Sequence, residues 1–128
     1  MNILIVVAPL NGDAARFYGR LLREARGFEL SFCSTKGSAL SEFRRHRHDA
    51  VVVHGDAEDY PGQEVISAFV MERTAPAKLI GVVPPQRNPA DYLAWGRAGA
   101  TDILGPALDT LQLLKALGIT LSIVPTPK

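Results

Sequence analysis

Cysteine is all but missing from this sequence. Cys33 stands alone among 128 residues, so no internal disulfide can form and the fold must rest on its core. Its strand-like setting, with no electropositive surroundings, makes the thiol read as a small buried hydrophobe. Long hydrophobic runs are missing too. Ile3 to Leu10 and Ala50 to Val53 fall far short of the roughly 20 residues that span a bilayer. Met1-Asn2 leads at once into a strand-like run, with no basic stretch and no cleavage site, so no signal peptide and a cytoplasmic setting are expected. There is no Walker loop, GxGxxG, HExxH spacing or Ser-His-Asp set. The first loop, APLNGDAAR, holds one glycine and is a poor phosphate cradle.

Net charge is only +1, but it is unevenly placed. Residues 14–48 hold eight Arg or Lys against three Glu, whereas 49–64 hold five acids and no base. Such asymmetry can mark a basic binding face, and Arg44-Arg45-His46-Arg47-His48 is its densest part. That run closes a predicted helix, where cations complement the macrodipole, and it lacks the interleaved aromatics of a nucleic-acid motif.

What the chain does have is alternation. Asn2–Ala8 is nearly continuous apolar, the pattern of a strand covered on both faces. Asn11-Gly12-Asp13 turns the chain, and Asp13 is placed to cap a helix over 14–26 with Phe17, Leu21, Leu22 and Ala25 on one face, closed by Gly27. A second strand is predicted over 28–34, then a polar loop at Lys36-Gly37-Ser38 and a short helix around 40–47. A third strand, Ala50 to His54, precedes an acidic loop and a helix over about 63–73, with Val65, Ile66, Phe69 and Val70 on its apolar face. Lys78 to Val83 is a fourth strand, and Asn88-Pro89 reads as an N-cap and first helical residue. The helix they start is ended by Gly99 as a left-handed residue. A strand at 101–104, a helix over about 107–117 and a strand-like tail, Ile119 to Val124, complete the chain.

Five strands alternating with five helices call for an α/β fold, a flavodoxin-like doubly wound five-stranded parallel sheet in the order 2-1-3-4-5. An extra C-terminal strand could follow. Ligands in such folds sit at the carboxyl ends of the strands, which directs attention to residues 7–13, 34–37, 54–59, 83–87 and 104–106.

Several segments carry a resemblance. AWGRAGATDIL (94–104), DAVVV (49–53) with the acidic loop and VISAFV after it, and ILIV at the start resemble the receiver (CheY-like) domains of response regulators, over nearly the whole length to about Leu117. The resemblance implies residues 1–118 as a receiver-like domain, with 119–128 as an extension or linker. In active members a strand-3 Asp accepts phosphate, an acidic pair holds Mg²⁺, and a hydroxyl and a Lys complete the site. Here the phosphoacceptor position falls on His54, the acidic pair on Val7 and Ala8, the hydroxyl near Val82 or Val83, and the Lys on Gly105 or a gap.

The chain therefore resembles a pseudo-receiver, with no catalytic residues, no cofactor and no metal expected. It is expected not to be an enzyme. Action by protein-protein interaction or dimerisation is expected instead, through a family partner surface that would include Tyr92, Trp95 and Arg97. Membrane contact is not expected, and nucleic acid would be reached only through an output domain. Two alternatives remain open. One is a small ligand binder or enzyme using His54, Asp56 and an anion-binding Arg87, with Asp13, Asp56 and Asp59 as conceivable cation ligands. The other is the receiver-like part of a DNA-binding regulator. For His54 itself, the competing readings are a phosphorylated imidazole, a general base beside Asp56, a pH-sensitive group, or an imidazole hydrogen-bonded at a strand end.

Overall fold

The computed structural model describes residues 2–24, 29–84, 89–105 and 110–118. Among them, strands β1 (Asn2–Val7), β2 (Glu29–Cys33), β3 (Ala50–His54), β4 (Lys78–Val82) and β5 (Asp102–Leu104) alternate with helices α1 (Asp13–Glu24), α2 (Lys36–His46), α3 (Gly62–Val70), α4 (Pro89–Arg97) and α5 (Thr110–Ala116). The strands pair in parallel in the order β2-β1-β3-β4-β5, the flavodoxin-like arrangement that the sequence predicts.

The apolar runs of β1 and β3 follow from this topology, because an interior parallel strand is covered on both faces and its side chains alternate between them. Leu4, Val6, Val51, Val53, Leu79 and Val83 face one core, against Ala39 and Phe43 of α2, Val65, Ile66 and Phe69 of α3, and Trp95 of α4. Ile3, Ile5, Val7, Ala50, Val52, Ile80 and Val82 face the other, against Ala15 and Tyr18 of α1 and Leu113 and Ala116 of α5. His54 continues the parity of Ala50 and Val52, which turns it towards α1.

Three local expectations are corrected. Helix α2 begins at Lys36, not near Leu40: Thr35 is an extended N-cap whose hydroxyl oxygen accepts the Ser38 N–H at 3.1 Å, so Lys36-Gly37-Ser38 is its first turn. Asp13 does not cap α1 but is its first residue, exposed and 3.4 Å from Arg16 Nη1. Trp95 is not on a partner surface. It is 3% exposed, in the core between α3, α4 and β4, where it fills space left by two glycines. A Cβ on Gly81 would lie 2.7 Å from Trp95 Cε3, and one on Gly62 would overlap both the indole and the Gly55 carbonyl.

Gly99 has φ 115 and ends α4 as expected. Gly27, Arg87, Asn88 and the strand expected at 119–124 lie outside the described residues, as does the 119–128 extension.

The basic run at the end of α2 is held within the fold. Arg44 makes a two-pronged pair with Glu72 (Nε–Oε1 2.8 Å, Nη2–Oε2 3.0 Å), tying α2 to the segment after α3. Arg45 and His46 both reach Glu42, and the Arg47 guanidinium lies 5.6 Å from the centre of the Phe43 ring. Arg47 adopts φ 50 as the left-handed C-cap, which sends His48 back under the helix to 5% exposure.

Candidate functional site

At the carboxyl edge of the sheet, Val7, His54 and Val82 lie side by side in register. Val7, Val82 and Val83 are buried, and Ala8, Leu104 and Gly105 are half-buried. The edge thus presents one imidazole in an aliphatic frame. The receiver resemblance implies a divalent cation here, but Val7, Ala8 and His54 offer a single nitrogen and no side-chain oxygen. That set does not fit a hard, oxygen-seeking ion. Among the described residues no group of three or more His, Cys, Asp or Glu is arranged to hold a metal.

His54 has a specific partner that the sequence reading missed. Its Nδ1 is 2.8 Å from the hydroxyl of Tyr18, which rises from α1 with no exposed surface, and the two rings meet edge to face with centroids 5.4 Å apart. Burial pushes the Tyr18 hydroxyl further up, so it keeps its proton, and burial pushes His54 down, favouring the neutral ring. When the hydroxyl donates to Nδ1, the ring proton sits on Nε2. The signal was present in the sequence: Tyr18 lies three residues before Leu21 on the buried stripe, and a buried tyrosine needs a partner for its hydroxyl.

The acidic loop after β3 is used by two helices. Asp56 Oδ1 accepts the Gly62 N–H at 2.8 Å at the start of α3, and Asp59 Oδ1 accepts the Lys36 N–H at 2.7 Å at the start of α2. Backbone N–H groups at a helix start stabilise a carboxylate, and the Lys36 amide holds Asp59 below the ordinary carboxylate range. Lys36 then folds over the loop, its Nζ 3.5 Å from the centre of the Tyr60 ring. Asp13, Asp56 and Asp59 therefore sit at three different helix starts. The hydrogen bond described for His54 is to Tyr18.

Two buried imidazoles set an expected pH response. His48 keeps Nε2 3.3 Å from Ser31 Oγ while its Nδ1 is buried without a partner; burial lowers its pKa, an effect that the Glu42 carboxylate opposes. For a histidine with a depressed folded pKa, the unfolded chain binds the proton first. Stability is then fully present above the unfolded value, about 6.5, and falls as pH drops from there to the folded value. The slope is at most about 1.4 kcal/mol per pH unit for each histidine. Asp59 and Glu72 have lowered pKa values and lose their contribution only at more acid pH. The urea midpoint should drop between pH 7.5 and 5.5, and drop less in His54→Gln; an unchanged midpoint contradicts this account.

On the outer side of α4, Pro89, Tyr92, Leu93 and Ile103 line an apolar groove of about 560 Å³. Leu93 is 60% exposed, Tyr92 is half-buried and Arg97 is exposed, so Leu93 takes the surface position expected of Trp95.

No protein-family model and no curated protein matches the chain. Solved structures do. The signal receiver domain of a signal-transduction histidine kinase from Syntrophus aciditrophicus superposes with a TM-score of 0.78 at 18% identity, covering 99% of this chain and 94% of that one. The receiver domain of a sensor histidine kinase from Pseudomonas aeruginosa, with magnesium in its active-site cleft, gives 0.75 at 19% identity over 91% and 93%. A CheY-like receiver domain protein from Methanospirillum hungatei gives 0.72 at 21% identity over 91% and 90%. This chain has the receiver fold, and at these identities the likeness is one of fold. No helix among the described residues is long and apolar enough to cross a membrane.

Proposed function

We propose that this chain is a receiver-like signalling module that works without a phosphoaspartate, by binding another protein or a second copy of itself. The observation that carries this reading is the Tyr18–His54 pair. At the strand end where a receiver would present a carboxylate, the chain holds a neutral imidazole bonded to a buried phenol, beside two aliphatic positions, Val7 and Ala8. Neither an attacking oxygen nor a seat for a charge-neutralising cation is supplied by these side chains. What remains for signalling is the surface, and the groove on α4 and β5 has the exposed apolar character of a contact site, with an aromatic wall in Tyr92 and a cation nearby in Arg97.

Incubation with Mg²⁺ and acetyl phosphate should give no hydroxylamine-sensitive phosphate, and stoichiometric incorporation would overturn the proposal. The surface is tested separately. If it joins two copies, light scattering will show a dimer that Leu93→Glu converts to monomer without changing the melting temperature. If it binds a different protein, the chain is monomeric, and Leu93→Glu abolishes the signalling output of cells that depend on it. Retained output in a monomeric Leu93→Glu variant removes the groove from the proposal.

A further inference from the structure

A second groove lies across the sheet, between α1 and the edge strand β2. It is about 620 Å³ in volume and lined by Leu10, Asp13, Ala15, Arg16, Gly19, Arg20 and Phe32. This size falls within the range of small-molecule sites, roughly 300–1,000 Å³. Its floor is apolar: Leu10 is 50% exposed, and Phe32 is only half-buried on β2. Its rim is cationic, with Arg16 and Arg20 one helical turn apart, an i,i+4 like-charge pair that weakens the helix by itself. Arg16 is shared with Asp13 at 3.4 Å, an exposed contact, and Arg20 is exposed beside it.

Gly19 adds a separate observation. Glycine in a helix interior is unfavourable relative to Ala, and such a residue is explained when a neighbour needs the room. Gly62 and Gly81 meet that condition against Trp95, but a Cβ built on Gly19 meets, among the described residues, no atom within 4 Å beyond its chain neighbours and its own helix backbone. No packing contact among the described residues accounts for the missing side chain. The space it leaves belongs to the groove.

We propose that this groove binds a small amphiphilic anion, whose apolar body lies on Leu10, Ala15 and Phe32 over Gly19 and whose acid group is held by Arg16 and Arg20. Two guanidiniums a turn apart suit a carboxylate, sulfonate or phosphate, which would displace the weak Asp13 contact and relieve the like-charge pair. A purely apolar ligand would leave the arginines unused, and a cation would meet two of them against one aspartate.

The test is titration with 8-anilinonaphthalene-1-sulfonate, an amphiphilic anion that fluoresces when shielded from water. One saturable site per chain is expected. Arg16→Gln/Arg20→Gln should weaken it by about tenfold or more, the scale of losing charge-assisted hydrogen bonds. Gly19→Leu should weaken it comparably by filling the groove, with an equal or higher melting temperature because the helix gains propensity. Leu93→Glu, in the α4 groove, should leave it unchanged. Absence of saturable binding, binding indifferent to both groove variants, or binding lost only with Leu93→Glu would each overturn the assignment. Competition by decanoate that disappears in the double Gln variant would support it independently of the dye.

Discussion

Trp95→Ala is expected to destabilise the protein by about 3–5 kcal/mol, the range for removing a large aromatic from a core. The expectation rests on how the indole is housed. It is 3% exposed and sits where Gly62 and Gly81 bring backbone close, so the cavity left behind would be bounded by main chain that cannot collapse into it. The complementary variant, Gly62→Ala, should be of similar severity for the opposite reason, since its methyl would overlap the indole and the Gly55 carbonyl. Because domains are typically stable by only about 5–15 kcal/mol, Trp95→Ala can fail to fold; Trp95→Phe, which leaves a smaller void, then gives a measurable loss. Urea melts of these variants beside Leu93→Ala decide the matter. A Trp95→Ala loss no larger than that of exposed Leu93 would mean that the indole is not the keystone of the α3–α4–β4 core.

The same residue shows where the sequence was legible and where it was not. The sheet order could be read because each interior strand announces itself by an unbroken apolar run, and because short connections between alternating strands and helices leave few topologies. Trp95 could not be placed, because α4 is weakly amphipathic: Leu93, Ala94 and Trp95 are adjacent apolar residues that cannot all face inward. What settles the competition is Gly62 and Gly81, more than ten residues away, whose missing side chains leave the room that the indole fills. A sequence pattern records which residues are apolar but not which distant glycines make room.

The acidic loop teaches a related lesson. Asp56 and Asp59 read from sequence as loop carboxylates that could gather around an ion, since both follow the strand end within five residues. In the fold they diverge, one to the start of α3 and one to the start of α2. The second is a long-range cap: the helix it serves lies 23 residues earlier, and its own N-cap, Thr35, handles the Ser38 amide. Local capping rules find Thr35 but cannot find Asp59. The strand edge is thereby braced by carboxylates committed to helix ends, and His54 stands at its centre between Val7 and Val82.

That arrangement makes the outcome of His54→Asp a sharp expectation. An aspartate at this position should not confer phosphate uptake, because Val7 and Ala8 lack the oxygens for a cation and Gly105 supplies no amine. It should also be strongly destabilising near neutral pH. The new carboxylate would replace a neutral ring in a largely buried position that, among the described residues, is bonded to the Tyr18 hydroxyl, with aliphatic Val7 and Val82 on either side. A buried charge without a cationic partner costs several kcal/mol, and the group answers by raising its pKa. The sign of the pH dependence then reverses at this site. His54, with its folded pKa depressed, contributes stability above the unfolded value of about 6.5 and loses it as pH falls. An aspartate raised above its unfolded value of about 3.9 has its contribution fully present below that pH and loses it as pH rises through the folded pKa. Urea midpoints from pH 4.5 to 7.5, compared with His54→Asn as a neutral reference, should therefore diverge in opposite directions for the native protein and His54→Asp. Parallel curves would mean that the strand end is far wetter than its geometry indicates. Phosphate uptake by His54→Asp alone would mean that a cation finds oxygen ligands here without Val7 or Ala8.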